Sequence, residues 1–236
     1  MDASAPRHYP HRERWYQTVT GWIIFVNIVM FFVQMWLDGD DQEFTYSWAL
    51  SLPGLQEGHW WQLLTFQVLH GGFLHLLINC LLIHVMGRAM ENYIGKRRLL
   101  EVYLASGVAG GLLEIAIKFL WPDEFPSAVL GASAGACGLI AVFATLFPWQ
   151  PLRVLILFVI PVSMKARTLL LFSIIISLVG MTGVIHDGIA HAGHLGGILW
   201  GVIYTKLRLP DYILPPPPPM PPPPPNPPPA TPPPLP

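Results

Sequence analysis

Apolar positions in this chain gather into long blocks instead of recurring on one face of an amphipathic pattern. Six blocks approach or exceed the length of a bilayer crossing: about 19–37, 72–94, 98–121, 133–148, 167–185 and 189–207. A helix needs about 20 residues to cross the hydrocarbon layer, so each block is read as a transmembrane helix. A seventh apolar stretch, 152–164, is short, rich in β-branched residues and interrupted by Pro161. It is expected to be a strand-like or interfacial segment before the fifth span. The polar segment 38–71 carries His59, Trp60 and Trp61. Such residues suit the membrane–water boundary, and short interfacial helices are expected there.

Composition agrees. Hydrophobic residues make up 53% of the 236 residues and charged residues 11%, against about 25% charged in soluble domains. The expected fold class is all-α: a polytopic membrane helix bundle with six transmembrane helices over residues 19–208. A cytoplasmic segment, 1–18, precedes it; it is polar and has no apolar core, so no cleaved signal peptide is expected. The tail, 209–236, holds 17 prolines between Pro215 and Pro236. It is expected to be disordered and polyproline II in character, a stiff spacer or a docking segment for a polyproline-binding partner. A net charge of −1 gives no reason to expect nucleic acid. Cys80 and Cys137 form no disulfide or zinc pattern.

Charge orders the spans. Arg7, Arg12 and Arg14 precede the first; Arg88, Lys96, Arg97 and Arg98 lie near the second turn; Arg153, Lys165 and Arg167 lie between spans four and five; Lys206 and Arg208 follow the sixth. Asp38, Asp40, Asp41, Glu43, Glu57, Asp123, Glu124 and Asp187 occupy the opposite loops, and Lys118 alone breaks the pattern. Both termini are therefore expected in the cytoplasm.

Polar side chains inside spans are costly and become functional candidates. His75 and Asn79 in span two, Ser133 at the start of span four and His194 in span six all lie near the external ends of their spans. Ser133 sits in Gly131-Ala132-Ser133-Ala134-Gly135. From Ser133 to Phe147 a helix covers about 22 Å, less than the roughly 30 Å hydrocarbon layer, so Ser133 is expected below the outer surface. A helix N-terminus there leaves N–H groups for a developing oxyanion. The plainer reading of Ser133 is a small residue at a helix contact. The motif also matches the nucleophile elbow of α/β-hydrolases, but the strand and soluble helix that elbow requires are not expected here.

In span six, Gly193, Gly197 and Gly201 repeat every fourth residue, a stripe that lets two helices approach closely. His194 lies roughly 40° from the Gly197/Gly201 centre and His191 roughly 100° away. If the partner helix is span four, His194 can hydrogen-bond Ser133 and activate it. His191 is expected to be a bystander or a gate. His75 and Asn79 share a face at i,i+4 and could donate to an oxygen that becomes negative, or could join two helices. His84 points elsewhere.

These residues together resemble the rhomboid family of intramembrane serine proteases, over roughly Gly21 to Leu207. The resemblance includes the long external loop, the segment from His70 through His75 to Asn79, Gly131–Gly135, and His194-Leu195-Gly196-Gly197. It implies a rhomboid-like architecture in which Ser133 is the nucleophile and His194 the base. His75 and Asn79, with the Ser133 N–H, would bind the oxyanion. Glu91 and Gly95 look like a structural Glu-x3-Gly feature of the family. Trp61-Gln62 replaces the family's usual Trp-Arg pair. Cys137 stands where an aromatic often packs on the catalytic His. The implied enzyme cleaves transmembrane protein substrates within the bilayer near the outer leaflet. It uses no metal or other cofactor and lies in the plasma (bacterial inner) membrane. Asp187 is a weak candidate for a third catalytic member. The rivals are an inactive rhomboid-like protein that binds membrane clients, and a small transporter using His75 and His194 as proton sites, with Glu114 paired to Lys118.

Overall fold

The structure, a computed structural model, describes residues 14–39, 42–121, 128–156, 160–182 and 188–212. Arg7, Arg12, Asp40, Asp41, Asp123, Glu124, Asp187 and the proline tail lie outside the described residues. The expected spans are all helical. They are α1 (Val19–Leu37), α5 (Phe73–Leu82) continuing into α6 (Arg88–Ile94), α7 (Lys96–Leu120), α8 (Ser133–Leu146), α9 (Ala166–Gly180) and α10 (His191–Arg208). Val19–Leu37, Phe73–Ile94 and Lys96–Leu120 are long and apolar enough to cross a membrane. With the shorter apolar helices around them, they make the chain a multi-pass membrane protein. The large side chains left exposed on α1 and α9, Phe32 and Leu171 among them, suit contact with lipid.

The segment between α1 and α5 folds into α2 (Glu43–Trp48), α3 (Leu52–Gln56), α4 (Gln62–Thr65) and a 3-10 turn at Phe66–Val68. The stretch before α9 is an antiparallel hairpin of β1 (Pro151–Ile156) and β2 (Ile160–Lys165), with Leu155 opposite Pro161. The strand-like reading is met by two strands. Proline, which lacks an N–H, tolerates such an edge position.

Contacts sort the helix ends into two sets. The start of α1 meets the end of α6 through Glu91. Tyr93 of α6 packs on Phe147 beyond α8 and on Tyr212 beyond α10, and Arg98 of α7 reaches Tyr212. At the other end Gln34 of α1 accepts from the His70 N–H, and Leu50 pairs with Val129 just before α8. These contacts gather the starts of α1 and α7 and the ends of α6, α8 and α10 at one end of the bundle.

A π-helical turn, Ile83–Gly87, joins α5 to α6. Glu91, 4% exposed, caps α1. Its carboxylate accepts from the N–H groups of Val19 (2.8 Å) and Thr20 (2.9 Å) and from the Thr20 hydroxyl (2.7 Å). Gly95, at φ +87°, then turns the chain into α7. Removing a buried charged acceptor orphans its donors. Glu91→Ala is therefore expected to cost about 2–4 kcal/mol of stability, read as a lower thermal midpoint in detergent.

The centre of the bundle is α8. Ala134, Gly135, Ala136, Gly138 to Ala144 and Leu146 are all buried, as expected for a helix apolar on every side. Its 14 residues cover about 21 Å. Small residues let α7 and α10 close on it. A Cβ built on Gly197 would lie 2.2 Å from the Ala134 carbonyl oxygen, and one on Gly201 2.5 Å from that of Gly138.

Candidate active site

The approach to α8 is held in place by the segment between α1 and α5. Leu50 and Val129 exchange backbone hydrogen bonds (2.9 and 2.8 Å), and the Gly131 N–H donates to the Phe66 carbonyl (2.8 Å). Gly131 has φ +126°, a conformation other residues adopt only under strain. A Cβ there would also sit 2.8 Å from the His75 ring. Gly131 therefore allows both the turn and the imidazole beside it.

Ser133 is the first residue of α8. Its Oγ lies 2.8 Å from Nε2 of His194, in the first turn of α10. Both residues are half-buried. For Nε2 to accept the hydroxyl proton, the ring proton must be on Nδ1. The first helix-internal bond of α8 runs from the Ala136 N–H to the Ala132 carbonyl, so the earlier N–H groups are available to an anion. His75 Nε2 and Ser133 Oγ both lie within 4 Å of one point, the position of a Cβ on Gly131. Asn79 is placed differently. It is buried, its Nδ2 donates to the His75 carbonyl one turn back at 3.0 Å, and it makes no hydrogen bond to Ser133.

His70, in the loop before α5, packs its ring against that of His75 at 5.1 Å. Burial, and then the charge of His75, push its pKa down to about 4, so it is neutral at physiological pH. His191 is not remote from the site. Its ring stands edge-on to that of His194 at 6.2 Å and fills the space above Gly180, where a Cβ would come within 2.2 Å of it. Cys137, four residues on from Ser133, is half-buried, and the His191 ring flanks that of His194 from the same helix. Glu114, offered to Lys118 by spacing, reaches across to α10, where Oε2 accepts from the Gly193 N–H at 2.7 Å. It thereby anchors the residue next to His194. Gln62, in place of the usual Arg, is 1% exposed. It accepts from the Ser51 N–H (3.1 Å) and donates to the Ser47 carbonyl (3.3 Å), tying α2, α3 and α4 together. His84 lines a groove with Thr20 and Arg88, away from the site.

The Rhomboid domain family model matches residues 57–211 of the chain. The chain belongs to the rhomboid family. Among its rhomboid relatives, "Rhomboid protease AarA" of Providencia stuartii is 28% identical over 214 residues, 82% of this chain and 72% of that protein. "Rhomboid protease GluP" of Bacillus subtilis is 32% identical over 148 residues, 62% of this chain and 26% of that protein. "Inactive rhomboid protein 1" of Drosophila melanogaster is 29% identical over 150 residues, 64% of this chain and 10% of that protein. The chain thus spans well under half the length of two of these three rhomboid proteins.

Proposed function

We propose that the protein is an intramembrane serine endopeptidase that cleaves transmembrane protein substrates near the outer leaflet, with Ser133 as nucleophile and His194 as general base. The observation that carries this reading is the 2.8 Å separation of Ser133 Oγ and His194 Nε2. His194 takes the hydroxyl proton as Oγ bonds to the substrate carbonyl carbon. The carbonyl oxygen becomes an oxyanion, held by the N–H groups at the start of α8, by His75 and by Asn79. The carbon–nitrogen bond then breaks, and His194 returns the proton to the leaving amine. Water, with His194 again as base, releases the acyl group from Ser133. No metal or other cofactor takes part. Both termini face the cytoplasm, the membrane is the plasma (bacterial inner) membrane, and the unit that acts is residues 19–208. The proline-rich tail serves as a cytoplasmic spacer or as a docking segment for a polyproline-binding partner.

The likeness to an inactive relative motivates the second reading, a client-binding protein without catalysis. A fluorophosphonate probe separates the two. The detergent-purified wild-type chain is expected to label at Ser133, with labelling lost in both Ser133→Ala and His194→Ala. Labelling of His194→Ala at the wild-type rate would reject His194 as the base. An unlabelled but folded wild-type chain would favour the client-binding reading.

A further inference from the structure

At the end of the bundle opposite Ser133, the turn from α6 into α7 and the C-terminus of α10 enclose a cavity of about 440 Å³. Lys96, Arg97, Arg98 and Arg208 line it together with one carboxylate, Glu101. That carboxylate already accepts from Arg97 Nε at 2.8 Å and from the Tyr204 hydroxyl at 2.8 Å. Arg98 is held by the Tyr212 hydroxyl at 2.8 Å. Four cations therefore share one concavity with a single acid, and a concave wall of low dielectric focuses such a field on an anion.

A second observation points the same way. A groove of about 500 Å³ leaves Glu101 and follows α7 past Leu104, Ala105, Val108 and Leu112, with Trp200 of α10 as its far wall. From Leu104 to Leu112 it runs about 12 Å and is almost wholly apolar. Glu101 lines both spaces, so the basic cavity and the apolar track adjoin at that residue. A soluble anion would use only the first, and a partner helix only the second. A phosphate-bearing head joined to a hydrocarbon chain uses both, in this order.

We infer that this site binds an anionic phospholipid, with its phosphate among Lys96, Arg97 and Arg208 and an acyl chain along the groove between α7 and α10. Basic pockets between transmembrane helices on the cytoplasmic side suit such headgroups. The inference does not depend on the proposed proteolysis.

Native mass spectrometry of the full chain in detergent tests it, with phosphatidylglycerol and phosphatidylcholine of the same acyl chains. One phosphatidylglycerol is expected to be retained, with roughly tenfold or greater preference over phosphatidylcholine. The variant K96Q/R97Q/R208Q should lose that preference while still binding phosphatidylcholine weakly, which shows that it is folded. Ala105→Phe, which fills the groove, should weaken both lipids. The variant R153Q/K165Q/R167Q removes equal charge from the same end of the bundle and should keep the preference. Loss of preference in that control would show general attraction to a basic face and overturn the site. Wild-type retention by Ala105→Phe, or displacement of the lipid by an equal concentration of inorganic phosphate, would overturn it as well.

Discussion

Ser133→Ala is expected to reduce cleavage of a transmembrane substrate in proteoliposomes by about 10⁴-fold or more, and His194→Ala by a similar factor. The double variant is expected to be no slower than either single one, because a hydroxyl and the base that activates it act as a unit. The 2.8 Å contact between Oγ and Nε2 is the physical reason: without the imidazole the hydroxyl stays protonated, and without the hydroxyl the imidazole has no nucleophile to activate. Initial rates of a fluorescently tagged substrate provide the measurement. Additive losses would mean that the two residues serve separate steps. Wild-type cleavage by Ser133→Ala would reject the mechanism.

Gly197→Val should have the next largest effect, and by a different route. A Cβ at this position would come 2.2 Å from the Ala134 carbonyl oxygen, and neither backbone can yield as a flexible side chain would. The helices must separate, at an overpacking cost of about 1–3 kcal/mol or more. His194 lies one helical turn before Gly197, so the same shift draws its ring away from Ser133. A displacement of about 1 Å at a reacting pair can cost on the order of 10² in rate. The expected result is a folded but less stable protein whose fluorophosphonate labelling falls on the order of a hundredfold. Leu199→Phe, on the exposed side of the same helix, is the matched control and should label normally. If Gly197→Val labels at the wild-type rate, the α8–α10 contact does not set the geometry of the pair.

Much of this arrangement was legible before any coordinates. The six apolar blocks all became helical, three of them long and apolar enough to cross a membrane, because the cost of exposing backbone polar groups to lipid leaves few alternatives. The short apolar stretch with Pro161 became a strand pair. The stripe of glycines on α10 marked a close contact, and His194 lies near that contact.

Other features were hidden because they depend on which helix lies beside which. The glycines of α10 serve two neighbours: Gly197 and Gly201 face α8, while a Cβ on Gly196 would meet Ala109 and Gly110 of α7. Periodicity gives the side of a helix, not the identity of its partner. For the same reason, spacing pairs Glu114 with Lys118 on its own helix, and only the fold adds the Gly193 N–H across on α10. The angle on α10 leaves His191 a bystander or a gate, and the fold sets its ring between Gly180 of α9 and the His194 ring. Gln62 looked like the loss of a stabilising arginine, and only the folding of α2, α3 and α4 around it shows what an amide in that position holds together.

The sequence by itself determined that the chain enters lipid and roughly where its apolar helices lie. Those properties follow from the local cost of desolvating each residue and its backbone. The tertiary structure alone decided that the Ser133 hydroxyl meets the His194 imidazole, 61 positions away. That meeting depends on glycine backbones closing to a distance that no local property of the chain specifies.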